Sequence, residues 1–532
     1  MTILGKLTQI SPTLLQRDVN KRSEDSHLKI VSTCSFNMLP YQPVAISYLV
    51  FCYDQVLNII SSSTPFRSVN STMLLWTSLL LLVGRLNFAY SDADNSDDHI
   101  LTFQLNNGFH IPLVGMGIGN LQHELIPQVV SANLMPSQDI RLVDTAHNSN
   151  NEEILGQAVA KFDGTSHHGT RGSIDSPPPL HVVTKVWYTY LGYERTKIAV
   201  AESLSKLAAA NTRQVYVHML LHWPRCNDNI EWMNCEQEEN NLPQYVKDAG
   251  APPHLDKDNA WKDSWRALED IYTEHSTERQ RTDGAIGKPI IASIGVSNFE
   301  LDDMKALIEL SNVRPQMYQG NSWAIFHDPF LMNLLRDHNI FFQSYGVMFG
   351  IIQRRQSSPS AYHILSSLSH ELTETIHSAS NSENGTNQPV ITEATVLLAY
   401  LINSQVGIIP RAAATAHQQE NSPSSIKAVV EHLTPNHIEK LERAIPALMK
   451  GEQLHSSVSF MNTLESAILI HWLNPNTNEE VPVSNLIHPG KVEVQQTHPG
   501  HRFVAYDAEK KIRKEFLVEA GYGEEQFFQV EL

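Results

Sequence analysis

The sequence predicts an α/β protein: a (β/α)8 TIM barrel over residues 100–447, followed by a small C-terminal all-β sandwich at 455–510. Three observations predict it. Eight short apolar runs alternate with helical patterns through the middle of the chain, as parallel strands joined by crossover helices require. The length of 532 residues exceeds one ordinary domain, yet accommodates a barrel of about 250 residues plus a smaller module. Past Leu448, short strand-like runs follow one another without helical segments between them. Hydrophobic residues make up 42% of the chain, ample for a buried core, and the formal charge of -18 argues against nucleic acid, whose phosphates demand a basic face. Small molecules and proteins are the expected partners.

Residues 1–99 read differently from the rest. Residues 73–83, MLLWTSLLLLV, are apolar and free of charge, and Ala89, Tyr90 and Ser91 follow as a small-x-small pattern before Asp92. This is the pattern of a signal-peptide core with its cleavage site. It is short for a membrane span, which needs around 20 apolar residues. Three readings stay open: translation starting at Met73, an internal signal anchor that is the one expected route to a membrane, and a buried helix. The first two place the protein in the secretory pathway or outside the cell; the third leaves it cytoplasmic. Cys34 and Cys52 lie upstream of the cleavage pattern, so a processed chain keeps Cys226 and Cys235. In an oxidising compartment this pair reads as a loop-closing disulfide, stabilising by roughly 2 to 3 kcal/mol; two unrelated thiols are the alternative. Glycosylation sequons occur at Asn70 and Asn384.

After an acidic linker, Asp92 to Asp98, Asn107 and Gly108 separate two apolar runs and signal a hairpin. The eight strand candidates follow: LVGMGIG from 113, IRLVDTA from 140, HVVTKVW from 181, VYVHMLLHW from 215, SIGVSNF from 293, PQMYQGNSW from 315, FFQSYGV from 341 and GIIPRAA from 407. Polar inserts interrupt the pattern at Asp163–Pro179, Arg225–Asp258, Thr273–Lys288 and Arg354–Pro389. The last contains SAYHILSSLSHELTETI, whose apolar spacing suits an amphipathic helix, either a lid or a surface excursion.

Barrel enzymes present their chemistry at the C-terminal ends of different strands. Three titratable groups stand at consecutive strand ends here: Asp144 in LVDTAHNSNNE, Lys185 in VVTKVW and His222 in LLHWP. Each alone is commonly structural. Together they suit a reaction that needs a proton donor and an electrostatic setting that prepares it.

The ordered series NNGFHIPLVGMGIG, LVDTAHNSNNEEILGQAV, VVTKVW, LLHWP, IGVSNF and IIPRAAATAHQQEN resembles the motif series of the aldo-keto reductases. The resemblance implies a barrel, use of NADPH or NADP, and reduction of a small-molecule carbonyl. It implies a catalytic tetrad in which Asp144, Lys185 and His222 match the aspartate, lysine and histidine, while Ser149 occupies the place of the tyrosine that is the acid. An alkyl hydroxyl is a far weaker acid than a phenol and its side chain is shorter. Loss of a positioned general acid costs about 10² to 10⁴ in rate. His222, a water held by Ser149 and Lys185, or His147 is the candidate substitute. The resemblance further implies that Ser297, Asn298 and Gln319 hydrogen-bond the nicotinamide carboxamide, that Tyr345 stacks on its ring, and that Glu420 and Asn421 contact the adenine. Arg411 and Ala412 stand where the family has lysine and serine, and His417 where it has arginine. Arg411 still suits a 2'-phosphate, so nucleotide binding is expected with weakened preference for NADPH, and NADH use becomes possible. No metal is expected.

The run FMNTLESAILIHWLNPNTNEEVPVSNLIHPGKVEVQQTHPGHRFVAYD is similar to the β domain of the von Hippel-Lindau tumour suppressor, through Trp472, the Pro489-Gly490 turn and His501. That resemblance implies a protein-binding module. His501 matches a residue of the hydroxyproline pocket, but Phe503, Gln496 and Ser484 replace a tryptophan, a histidine and a tyrosine, so a generic interaction or packing role is expected. The charged segment AEKKIRKEFL reads as a helix, and 511–532 as a tail. Two functions are therefore in view: an oxidoreductase with a rebuilt acid site, or an inactive nucleotide-binding scaffold that finds partners through its β module.

Overall fold

A computed structural model describes residues 101–136, 138–166, 177–227, 229–282, 288–379, 389–507, 513–519 and 525–531. The signal-like segment 73–91, Cys34, Cys52 and both sequons lie outside the described residues.

The Asn107-Gly108 turn joins β1 (Thr102–Gln104) to β2 (His110–Pro112), and Gly108 sits at φ 81° in the left-handed region that glycine tolerates. The hairpin is fastened at the N-terminal end of the sheet. Asn107 Nδ2 donates to the Ala292 carbonyl at 2.9 Å, Asn106 Nδ2 donates to that of Pro315 at 2.9 Å, and Phe103 stacks on Phe341.

All eight predicted strands form, as β3 (Met116–Gly117), β4 (Leu142–Asp144), β5 (Leu180–Val186), β6 (Val215–Leu221), β7 (Ile290–Ser297), β8 (Met317–Asn321), β9 (Phe341–Tyr345) and β10 (Gly407–Ile408). They pair in parallel in chain order. Closure comes at the two shortest strands. Ile408 N donates to Leu113 O at 2.8 Å and Gly115 N to Ile408 O at 2.9 Å, joining β10 to the approach of β3. Strands β5 to β7 are buried along nearly their whole length, which is why they read as continuous apolar runs. Gly295 has a packing reason: a Cβ there would lie 2.1 Å from the Met317 carbonyl.

The outer layer comprises α1 (Ile126–Asn133), α2 (Glu152–Ser166), α3 (Tyr193–Leu207), α4 (Ala260–Thr282), α5 (Leu301–Leu310), α6 (Pro329–Asp337), α7 (Pro359–Ala379), α8 (Glu393–Asn403), α9 (Pro423–His432) and α10 (Pro435–Lys450). Local signals set their ends. Thr434 caps α10 and Pro435 occupies its first turn, and the helix stops at Gly451, φ 73°. Helix α7 is the amphipathic segment of the Arg354–Pro389 insert. It buries Ile364, Leu365, Leu368, Leu372 and Ile376 against α8, α9 and α10, so it belongs to the outer layer and is not a lid.

The C-terminal module is a sandwich of β11 (Ser456–Asn462), β12 (Ile468–Leu473), β13 (Glu480–Pro482), β14 (Val492–Thr497), β15 (Arg502–Asp507), β16 (Arg513–Leu517) and β17 (Glu525–Val530). One sheet runs β14-β11-β17 and the other β13-β12-β15-β16. Phe460 centres the core, within 5.4 to 5.6 Å of the rings of Phe503, Phe516 and Phe528. The helix expected in AEKKIRKEFL is corrected. Its described part, Arg513–Leu517, is strand β16, paired antiparallel with β15 and burying Phe516 between exposed Glu515 and Leu517. A period of two with one buried aromatic overrode the helical propensity of lysine and glutamate. Residues beyond 511, read as a tail, thus supply two strands of the sandwich.

The module is docked on the barrel. Gln453 Oε1 accepts from Ser360 Oγ at 2.8 Å, its Nε2 donates to the Ser357 carbonyl at 3.0 Å, and His498 Nδ1 donates to Leu454 O at 2.6 Å. Gly500, φ 89°, admits the His363 ring of α7, which a Cβ would meet at 2.6 Å. His501 packs on Trp472 and on His498 at 5.3 and 5.2 Å between ring centres.

Among the histidines held below their ordinary pKa are His181, His218, His363 and His501. Burial, followed by Arg141, takes His181 down to about 3, and burial takes His218 well below its usual value. Burial lowers His363, and burial with His498 and His363 lowers His501. The unfolded chain therefore binds protons first as pH falls below about 6.5, and stability is lost in that direction, by up to about 1.4 kcal/mol per pH unit for each proton taken up. The melting temperature is expected to fall steadily from pH 7.5 to 5.5, measured by scanning fluorimetry; a flat profile would contradict neutral buried histidines.

Candidate active site

Strand register brings the predicted groups together. Asp144 ends β4 beside Val183, and Lys185, two residues further along β5, sends its ammonium back to Asp144 Oδ1 at 2.6 Å and to the Thr145 carbonyl at 2.7 Å. Asp144 is 8% and Lys185 4% exposed, so both charges are held out of water. Each partner compensates the other's desolvation. Gln319, entering from β8, donates to the same Asp144 oxygen at 2.7 Å and to Gln343 Oε1 on β9 at 2.8 Å. Gln343 Nε2 is buried without a partner among the described residues.

His222 follows β6, its backbone N–H donating to Val186 O at 3.0 Å. Burial and then the Lys185 charge push its pKa well below the usual value, so the imidazole is neutral at pH 7. Its Nδ1 is enclosed without a hydrogen-bond partner among the described residues, and Trp187 meets the ring edge-on at 4.9 Å.

Ser297 and Asn298, at the end of β7, tie neighbouring strand ends to one another. Asn298 stands at φ 59°, a left-handed conformation that asparagine tolerates better than most residues. From there its Nδ2 donates to the His222 carbonyl at 3.0 Å, while its Oδ1 accepts the Tyr345 hydroxyl at 2.7 Å. Ser297 is fully buried and pairs in register with Gln319. Burial raises the Tyr345 phenol pKa.

Ser149 ends a single helical turn, His147–Ser149, after β4. Its carbonyl accepts from His123 Nε2 at 3.2 Å, and its hydroxyl faces Gly119, where a Cβ would lie 3.5 Å away. The bonds of Lys185 go to Asp144 and Thr145, with none to Ser149. His147 is turned elsewhere. Its Nε2 lies 2.6 Å from Glu202 on α3, and its ring packs on Tyr190, whose phenol burial and Glu202 push up to about 12. The structure thus ties His147 to the outer helix through Glu202.

The loop after β10 carries the remaining residues. Arg411 is exposed, one guanidinium nitrogen donating to Asn120 O at 3.3 Å. His417 and Glu420 pair at 3.0 Å, and Asn421 lines a small recess with Ala412 and Gln418. Cys226 and Cys235 form a disulfide, with Cα atoms 6.0 Å apart.

Some residues at this end escaped sequence reasoning. Trp187 and Trp223 adjoin the motifs of Lys185 and His222, and adjacency was their only signal. Glu238 had none, yet it accepts from Trp187 Nε1 at 2.7 Å and from the Tyr188 hydroxyl. Among the described residues no three histidine, cysteine or acidic side chains are placed to hold a metal, and no helix is long and apolar enough to cross a membrane.

Comparison with known proteins gives the arrangement its lineage. The model of the aldo/keto reductase family matches residues 131–445. The uncharacterized oxidoreductase YtbE of Bacillus subtilis is 27% identical over 217 residues, 40% of this chain and 56% of that protein. Glyoxal reductase of the same organism is 26% identical over 242 residues, 44% of this chain and 62% of its own. The chain spans little more than half the length of such curated relatives. A Bombyx mori aldo-keto reductase in complex with NADP is a solved structure with a TM-score of 0.44 and 20% identity, covering 66% of this chain and 93% of that one. With more than half of its length matched by the family model, the chain belongs to the aldo/keto reductase family.

Proposed function

We propose that the protein is an NADP(H)-dependent oxidoreductase acting on a small carbonyl or alcohol, with the proton-transfer step weakened at Ser149. The observation that carries this reading is the buried Asp144, Lys185 and Gln319 network beside a neutral His222. A desolvated ion pair at the ends of adjacent strands is costly for stability alone and suits a binding site for a polar ring. Glyoxal reductase among the relatives supports a carbonyl substrate class.

The residues present fit a nicotinamide dinucleotide. Gln319 spends its Nε2 on Asp144 and Gln343, which leaves its amide oxygen without a partner among the described residues and suited to accept from a carboxamide N–H. Ser297 and Asn298 adjoin them, Tyr345 supplies an aromatic ring, and exposed Arg411 supplies a planar fork for a 2'-phosphate. The dinucleotide, when bound, supplies the hydride. This chain's own part is to orient the carbonyl and to move a proton to its oxygen. Lys185 and the neutral His222 polarise that oxygen. His222 can donate one hydrogen bond, but a neutral imidazole is a poor acid, and Ser149 lacks both the reach and the acidity of a phenol. His417 is paired with Glu420, and that pair brings no net positive charge to the adenine end, which supports a weakened preference for NADPH over NADH.

A second reading, a nucleotide-binding scaffold without turnover, is favoured by the absence of any bond between Ser149 and Lys185. In either case the β module is read as a packing module, supported by His363 of α7 lying against Gly500 next to His501. The disulfide supports an oxidising compartment, hence the secretory pathway or the outside of the cell.

Reductase activity measured by NADPH oxidation over a panel of aldehydes is expected to be low in the native chain, and Ser149→Tyr is expected to raise kcat by about 10² or more. Ordinary family rates in the native chain would overturn the impairment. Calorimetric titration is expected to detect both NADPH and NADH, with Arg411→Ala weakening NADPH several-fold and NADH hardly at all. Binding of neither nucleotide would overturn the cofactor assignment and the oxidoreductase reading with it.

A further inference from the structure

Gln343, on β9, is a polar residue in a place where the barrel has no packing need of one. It is fully buried and stands level with Gln319 on β8 and Gly407 on β10, and Gln319 in turn stands level with Ser297 on β7. Residues two places apart along a strand point to the same face. Two places before the glutamines lie Met317 and Phe341, 0% and 1% exposed, so the two amides rest on an apolar layer. Gly407 adds no side chain to the row, and its missing Cβ makes room for the Phe341 ring.

The Gln343 amide is bonded on one side only. Its oxygen accepts from Gln319 Nε2 at 2.8 Å, while its own nitrogen is enclosed without a partner among the described residues. The arrangement follows from Asp144. That carboxylate, paired with Lys185, only accepts, so Gln319 must turn its nitrogen towards it, at 2.7 Å. The second N–H of Gln319 then needs an acceptor, and Gln343 supplies one by facing its oxygen forward and leaving its nitrogen unbonded. An enclosed donor without a partner weakens a fold, and an apolar side chain of similar volume at this position would carry no such donor. What the donor's cost secures is orientation. With both hydrogens committed, the Gln319 amide plane is fixed and its oxygen points away from both acceptors. Gln319 keeps 2% of its surface exposed and Gln343 none, so the front amide borders the site and the rear one does not.

We propose that Gln343 is a positioning residue that locks the Gln319 amide in the one rotation presenting its oxygen to the carboxamide of a nicotinamide ring. This rests on the reading of the site as one for a nicotinamide dinucleotide. Gln343 touches neither nucleotide nor substrate and acts through Gln319 alone. Without it the Gln319 amide has one fixed hydrogen in place of two and can turn about the bond to Asp144, which blurs the direction of its oxygen. The nicotinamide half of the nucleotide depends on this lock. The adenine half, at Arg411 in the loop after β10, does not.

The test uses the full chain, its Gln343→Met and Gln319→Ala variants and the double variant. Methionine is close to glutamine in volume and brings no acceptor. It removes one unpaired N–H at position 343 and creates one on Gln319, so the melting temperature is expected to stay within about 2 °C of the native value. Calorimetry measures binding of NADP and of adenosine 2',5'-bisphosphate, which has the phosphorylated adenosine but no nicotinamide. Gln343→Met is expected to weaken NADP about fivefold and to leave the bisphosphate unchanged. In the Gln319→Ala background the same change is expected to have no further effect on NADP. Unchanged NADP binding in Gln343→Met, equal weakening of both ligands, an undiminished loss in the Gln319→Ala background, or a melting temperature that falls with the affinity overturns the inference while NADP binding by the native chain leaves the site reading standing. A native chain that binds no NADP overturns that reading and the inference together.

Discussion

The ion pair between Asp144 and Lys185 holds the active end of this barrel together. Two opposite charges that burial would penalise heavily are placed on adjacent strands, so that neither can move without exposing the other to a medium that cannot solvate it. Everything nearby takes its position from that constraint. Gln319 spends one amide proton on Asp144 and thereby faces its oxygen into the site, and Gln343 is aligned behind it. Burial, and then the Lys185 charge, keep His222 neutral. A hydrophobic replacement of the pair would favour the fold and dissolve the site.

Around this pair the site is assembled by ties between strand ends. Asn298 is the clearest of them, a single left-handed residue bonded to the chain after β6 and to Tyr345 on β9. Ser149 is placed locally by comparison: the helical turn that carries it forms normally, and its carbonyl accepts from His123.

Much of this was legible in the sequence because a parallel barrel leaves strong marks. Strands buried on both faces read as apolar runs, and the chemistry stands where each run ends; thus Asp144, Lys185 and His222 could be named and were found together. The hairpin at Asn107-Gly108 was as plain. Other features depended on tertiary partners that no local pattern records. Arg513–Leu517 has helix-forming side chains and becomes a strand because β15 offers it an edge and the sandwich needs Phe516. His147 looked like a neighbour of Ser149 and is drawn off by Glu202 on α3. Glu238 owes its place to a disulfide-closed insert with no periodicity at all.

The sandwich has a feature with a bearing on how the protein is made. Its first strand, β11, is flanked on one side by β14 and on the other by β17, which runs parallel to it and packs Phe528 on Phe460. A ribosome delivers β11 early and β17 late, so one edge of β11 stays unpaired until Val530 has emerged. The barrel, whose final helix α10 ends at Lys450, can already be complete by then and present α7 and Gln453 as a surface on which the waiting strands settle. Synthesis order thus leaves one edge of the module's first-made strand open until its late partner arrives.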